Sequence, residues 1–316
     1  MNNRKSVARL LLLNLILIIT AISLAVFLLY ESGGSIEDLR ALAEGKSLSE
    51  SRAERHSRMN VLRSIKKATE AVGSAAAAIS YDHYADQTPE GAARGLSVLM
   101  YHTVYDPMDP PQQTINDNYI STYNLEEELK YLTDEGYSFP DWEAVRRYID
   151  GEIDLPEKSV VLTFDDGTDG FRKYGVPLLK KYNVPATAFI IVSKNGEKWV
   201  EGKDDYPDLD LESHSYDMHR PGGRIGHGGV MTALTQEQIV EDLKMSQTIL
   251  GNSNAFAYPF GDVDQIGTCR NAVEEAGFLV AFTTQYGKVY PGRDPYLLPR
   301  MRVNGRNSLE AFKTLL

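Results

Sequence analysis

The residues best able to do chemistry fall in two short stretches. Residues 159–168 read SVVLTFDDGT, an apolar β-branched run ending in two adjacent carboxylates, Asp165 and Asp166, and a glycine. Residues 214–219 read HSYDMH and bring two imidazoles, His214 and His219. Together they supply an acidic ligand, two imidazoles and a spare carboxylate. A hydrolytic metal site needs that set: a cation to activate water and a base to take its proton.

Each stretch also has a plainer reading. Neighbouring side chains on an extended segment point opposite ways, so a bend at the strand end lets one carboxylate hold metal while the other faces a substrate. By itself, DDG equally fits a capped turn. His214 and His219 are five residues apart, about 140° on a regular helix, which is poor for chelation; a loop running into a helix brings both inward. Two histidines and a carboxylate with open positions suit Zn2+ hydrolysis. They also suit non-haem Fe(II) oxygenation, so ligand types alone do not name the reaction.

Two more places carry candidates. His102 follows a predicted strand at 96–101, and a strand's C-terminal end is where α/β folds place catalytic groups. Tyr258, Pro259, Phe260 and Gly261 form a tight turn after another strand. There the Tyr258 backbone N–H is a candidate oxyanion donor and the aromatic rings a candidate wall for a sugar. His227, in a glycine-rich loop, reads as solvent-exposed and receives no role, as do His56 and His83. The lone Cys269 excludes an intramolecular disulfide and reads as a buried structural thiol.

The elements that must position these residues alternate. Strands are predicted at 96–101, 160–164, 186–192, 255–258 and 278–283. Helices are predicted at 125–133 with Asn124 as N-cap, 141–148, 175–182, from Thr235 to about 250, and 268–276 stopped by Gly277. Repeated β-then-α units imply a parallel sheet or an α/β barrel. The carboxylate pair, His102 and the Tyr258 turn all then sit at strand C-terminal ends.

Before this body lie two other regions. Residues 10–30 form an apolar run long enough to span a bilayer, preceded by Arg4, Lys5 and Arg9. Positive residues stay inside, so residues 1–9 are expected in the cytoplasm and the body outside the cell membrane. Cleavage as a signal peptide, releasing a secreted form, is the alternative. Residues 31–91 read as a helical or flexible stalk, and 92–316 as the catalytic domain. The net charge is -11, and because the first 80 residues are slightly basic the body carries about -15. An acidic body lacks the footprint a nucleic-acid partner needs.

The motifs resemble those of the polysaccharide deacetylases, the NodB-homology group of carbohydrate esterase family 4. TFDDG at 163–167 is similar to the family's first motif, HSYDMH at 214–219 to its H-[ST]-x-x-x-H second motif, and YPFG at 258–261 to the aromatic part of its third. The likeness covers about residues 95–303. Two features depart from the family pattern: Ala257 stands where an arginine is usual, and no Leu-x-His motif appears near the C-terminus. Both departures resemble the circularly permuted subgroup that deacetylates poly-β-1,6-N-acetylglucosamine in biofilms, where LMYH at 99–102 supplies the early histidine and LPRMR at 298–302 the late segment. Peptidoglycan N-acetylglucosamine deacetylases and inactive glycan-binding modules are the alternatives.

The resemblance implies an irregular (β/α)7-type α/β barrel and an N-acetylated polysaccharide substrate. It implies Asp166, His214 and His219 as ligands of a divalent metal, most often Zn2+, with Co2+ or Ni2+ also accepted. Asp165 is the implied general base and His102 the implied acid for the leaving amine. The Tyr258 N–H is the implied oxyanion donor, with Tyr258, Pro259 and Phe260 against the sugar. Arg300 is the candidate for the missing arginine.

Overall fold

A computed structural model describes residues 95–251 and 254–316. The expected membrane span at 10–30 and the stalk at 31–91 lie outside them. Among the described residues no helix is long and apolar enough to cross a membrane.

Seven strands close a barrel: β1 (Ser97–Tyr101), β4 (Val160–Phe164), β5 (Ala186–Ile190), β6 (Leu209–Ser213), β7 (Ala255–Ala257), β8 (Val280–Tyr286) and β9 (Leu298–Arg302). Every neighbouring pair is parallel, and β9 returns to pair with β1. Two further strands, β2 (Thr103–Tyr105) and β3 (Tyr119–Ser121), pair with each other beside the mouth. The helices are α1 (Thr122–Asp134), α2 (Trp142–Ile149), α3 (Val176–Tyr182), α4 (Val192–Glu201), α5 (Gln236–Leu250), α6 (Thr268–Ala276) and α7 (Leu309–Lys313). This is the (β/α)7 architecture that the motifs implied.

Strand alternation sorts the side chains into layers. Leu99, Tyr101, Leu162, Phe164, Ala188 and Ile190 point outward and pack with residues of α1, α3 and α4. Phe256 and Tyr258 point outward against α5 and α6, where Cys269 is buried as expected. Inward, Val98, Val161, Phe189, Ala257, Phe282 and Leu298 fill the barrel, and Trp142 of α2 joins them, 5.2 Å from the Phe282 ring. Trp142 also lies beside Val161 and Ala186, at the N-terminal ends of β4 and β5. That end is packed largely with hydrocarbon, with Asp210 beside it, and the polar residues of the two motifs collect at the other end.

Several expected boundaries move. The N-cap of α1 is Ser121, whose Oγ accepts from Asn124 N–H at 3.1 Å; Asn124 lies inside the helix and its side chain ties to Gly305 O. Asp141 caps α2 instead of belonging to it. The strand expected at 186–192 stops at Ile190, because α4 begins at Val192. In α5 Thr235 and Gln238 form a full capping box, worth about 1 kcal/mol.

Candidate active site

The strand alternation of β4 turns Thr163 and Asp165 into the barrel and leaves Phe164 in the outer layer. Asp165 N–H still donates to Tyr101 O at 2.9 Å. The next residue leaves the strand: Asp166 has φ 71° and Gly167 φ 61°. A non-glycine residue in this left-handed region costs on the order of 1–3 kcal/mol and needs support from its surroundings. Helix α4 provides it. Asn195 Nδ2 donates to Asp166 O (3.2 Å) and Gly167 O (2.9 Å), and Trp199 Nε1 donates to Gly167 O (2.9 Å). A Cβ at Gly167 would lie 2.9 Å from both Ile190 Cδ1 and Trp199 Nε1, so this turn accepts only glycine. The bend puts both carboxylates at the barrel mouth.

His214 and His219 come together without a helix. The chain leaves β6 at His214 and reverses at Ser215, which has φ 73°. Both carboxylate oxygens of Asp242 on α5 then accept the N–H groups of Tyr216 (2.7 Å) and Asp217 (2.9 Å). This loop returns His219 so that its ring centroid is 4.8 Å from that of His214. His214 Nδ1 lies 2.7 Å from Ala257 O. A carbonyl only accepts, so Nδ1 carries a hydrogen and Nε2 is the ring nitrogen turned toward Asp166. Burial, and next the adjoining His214, push His219 down to about 4, which keeps it neutral.

The three groups converge. His214 Nε2 and His219 Nε2 lie 3.5 and 3.3 Å from Asp166 Oδ1, and the ligand atoms of all three residues fall within 4.8 Å of one another. Asp166 Oδ1 is buried and has no hydrogen-bond partner. A buried carboxylate oxygen left unpaired between two imidazoles fits a divalent cation, which would satisfy all three at once. Two histidines and one carboxylate also leave coordination positions open.

Asp165 is 2% exposed and takes a different partner. Arg300 Nη1 and Nη2 donate to its two oxygens, each at 2.7 Å. Arg300 is itself fully buried, donates further to Thr163 Oγ1 and Thr283 O, and lies over the Phe189 ring. Burial alone would raise the Asp165 carboxyl. The Arg300 charge and its two hydrogen bonds outweigh burial, and Asp165 is held well below the usual carboxylate range. The candidate for the missing arginine thus reaches the carboxylate from β9, on the far side of β1.

His102 follows β1 and lines the same cavity as Asp165, Asp166, His214 and His219. Burial lowers its pKa, and the pull of the two aspartates only partly opposes this. The cavity measures about 340 Å³, enough for a sugar unit.

The Tyr258 expectations are overturned. Its backbone N–H donates to Phe282 O at 2.9 Å as part of the barrel ladder, so it is not free to meet an oxyanion. The residue borders the cavity, but its ring is fully buried in the outer layer with the hydroxyl on Tyr296 O, so the ring forms no sugar wall. Pro259 is buried too. Of this turn Phe260 turns toward the site: at φ 61° its ring lies 4.2 Å from that of His219. Asn118, Thr284, Arg302 and His227 also line the cavity. No sequence signal marked Asn118, from a loop, or Thr284, from β8; Arg302 closes the LPRMR segment at the end of β9.

Comparison with known proteins adds to the geometry. Residues 152–281 match the polysaccharide deacetylase family. A poly-beta-1,6-N-acetyl-D-glucosamine N-deacetylase of Staphylococcus epidermidis is 30% identical over 180 residues, covering 51% of this chain and 59% of that protein. The chain therefore spans about three fifths of that relative's length. Among solved structures, the deacetylase PplD of Streptococcus pyogenes superposes with a TM-score of 0.59 at 21% identity, over 71% of this chain and 98% of that one. IcaB from Ammonifex degensii gives 0.56 at 24% identity, over 72% and 96%. At those identities the two structures bear on the fold alone.

Proposed function

We propose that this chain, whose residues 152–281 match the polysaccharide deacetylase family, is a metal-dependent N-deacetylase acting on poly-β-1,6-N-acetylglucosamine or a closely similar polymer. The observation that carries the reading is the split diacid. Asp166 turns its unpaired oxygen toward two imidazoles, while Asp165 faces the same cavity gripped by Arg300. One carboxylate is spared for proton transfer.

An amide is a poor electrophile and its amine a poor leaving group, so the site needs polarisation, a base and an acid. Asp166, His214 and His219 would hold the ion, with Zn2+ the first candidate. When bound, such an ion polarises the acetyl carbonyl and makes water a competent nucleophile at neutral pH. The chain's own groups do the rest. Asp165 takes the proton from water on a carboxylate oxygen, using a lone pair that Arg300 leaves free, since the fork occupies one direction at each oxygen. Arg300 fixes that carboxylate in orientation and keeps it ionised. His102, neutral at rest, takes up on its free ring nitrogen the proton that Asp165 gained from water and passes it to the departing sugar amine. The proton that leaves water thus arrives at the amine nitrogen, and both Asp165 and His102 return to their starting states. The Phe260 ring packs at a tilt against His219.

The same proposal places residues 10–30 in the cell membrane as an uncleaved anchor, with the domain outside the cell, where an exported polymer lies. Acetate release by the full-length chain tests the substrate, with β-1,6-linked N-acetylglucosamine oligomers beside peptidoglycan and chitin oligomers. Release from the β-1,6 oligomers is expected. Release from peptidoglycan alone would keep the chemistry and overturn the polymer.

A further inference from the structure

We propose that His227 is a substrate-binding residue, carried over the cavity by a glycine loop that the buried carboxylate of Asp262 latches in place; the proposal rests on the polysaccharide reading of the site. The loop is residues 220–229, RPGGRIGHGG, between the second histidine and α5. It folds back on itself: Gly222 and Gly223 N–H both donate to Gly228 O (3.0 and 2.9 Å), and Val230 N–H donates to Arg220 O (2.9 Å).

Asp262 fixes this loop to the site. Its side chain is 3% exposed. Its oxygens accept the backbone N–H of His227 (2.9 and 3.0 Å) and of Gly229 (2.9 Å), and one lies 3.3 Å from His227 Nδ1. Buried carboxylates held by several N–H donors are strong, directional anchors. The approach is too close for side chains. A Cβ at Gly226, where φ is +58°, would lie 2.0 Å from Asp262 Oδ1, and one at Gly229 would lie 2.8 Å from Phe260 Cδ2. The loop is therefore packed onto Asp262 and Phe260, and Phe260 is packed onto His219.

The latch holds in place a side chain with little structural work to do. The His227 side chain is 72% exposed, yet it lines the cavity that holds Asp165, Asp166 and His102. Its Nδ1 faces Asp262, which leaves Nε2 as the ring atom able to meet a ligand. Asn118 and Arg302, hydrogen-bonded to each other, line the same cavity from the β9 and β1 side of the ring. A polymer threading the mouth passes between these groups and His227. The imidazole can hydrogen-bond a hydroxyl of a sugar next to the one being deacetylated. Pre-set loop geometry makes that contact cheap in entropy.

The test compares full-length wild type, His227→Ala, His227→Gln and Gly226→Ala on a β-1,6-linked N-acetylglucosamine oligomer and on para-nitrophenyl acetate, which carries no sugar. Losing one hydrogen bond of about 1 kcal/mol predicts a rise in KM of about three- to tenfold on the oligomer for His227→Ala. Its kcat should stay within about twofold, and ester hydrolysis should be unchanged. His227→Gln should recover part of the loss, and Gly226→Ala, which displaces the loop, should share it. An unchanged KM for His227→Ala on an oligomer that wild type deacetylates overturns the proposal alone. No acetate release from the oligomer by wild type overturns the polymer reading, and the proposal with it.

Discussion

Replacing Arg300 with methionine strands a carboxylate. Asp165 is 2% exposed and both its oxygens are held at 2.7 Å by one guanidinium. Deleting one partner of a buried pair costs about 3–5 kcal/mol, because the remaining charge has neither water nor counter-ion. Asp165→Leu leaves the opposite charge stranded and should cost about the same. The double variant strands neither. Leucine and methionine fill similar volume, and methionine can keep the contact with the Phe189 ring. Its loss should therefore fall short of the summed single losses by at least about 3 kcal/mol. Urea unfolding of the four proteins at pH 7, in chelator so that no ion contributes, reads this coupling from midpoints at constant slope. Single losses that simply add, within about 0.5 kcal/mol, would refute the fork.

Other expectations follow from single groups. Asp165→Asn should abolish acetate release yet keep the bound metal, since the three proposed ligands are untouched; metal content and turnover measured on one sample decide this. Asn195→Leu removes the side-chain donor to Asp166 O and leaves Gly167 O with Trp199 alone, so metal should bind about tenfold more weakly by chelator competition, the usual scale for outer-shell supports. Glu128, buried with the Tyr101 hydroxyl on its Oε2 at 2.8 Å, is pushed by burial from 4.5 up to about 8. Its folded form holds a proton that the unfolded form gives up, so stability is fully present below pH 4.5 and drains away as pH rises to about 8. The slope is about 1.4 kcal/mol per pH unit, at most about 5 kcal/mol in all. Glu128→Gln should unfold like wild type near pH 4 and be the more stable protein at pH 8.5; equal stability at both would remove the buried acid from the account.

The strands easiest to foresee were those whose inward faces are hydrocarbon or carry the motif itself. VVLTF at 160–164 and AFA within 255–258 read as buried strands and are. β6 and β9 did not read as strands because their inward faces are polar. LDLES turns Asp210 and Glu212 away from the outer layer, near the N-terminal end of the barrel, and LPRMR carries a proline and two arginines. Such segments lack the apolar signature that marks a buried strand. Helix α4, with Asn195 and Gly196 in its middle, has weak intrinsic propensity and is held by Trp199 and Val192 in the core.

At the site, ligand identities were legible and hydrogen bonds were not. DDG and HSYDMH named the groups that converge. Nothing in the spelling of YPFG foretold that the Tyr258 N–H is spent on Phe282 O, because a neighbouring strand decides that. Arg300 was legible only through the likeness of LPRMR to the subgroup's late segment; barrel closure brings it to Asp165, 135 residues away in sequence. The latch of Asp262 on the His227 loop joins groups 35 residues apart and had no local signal.

The central claim is that Asp166, His214 and His219 hold one catalytic ion. Acetate release by the full-length chain is the most direct test, measured after exhaustive chelation and then with Zn2+ returned in steps to wild type and to Asp166→Ala. The account predicts loss of activity on chelation, recovery in wild type that saturates at one ion per chain, and no recovery in Asp166→Ala at that stoichiometry. Acetate release that persists in the stripped protein, or that returns equally in Asp166→Ala, would contradict it.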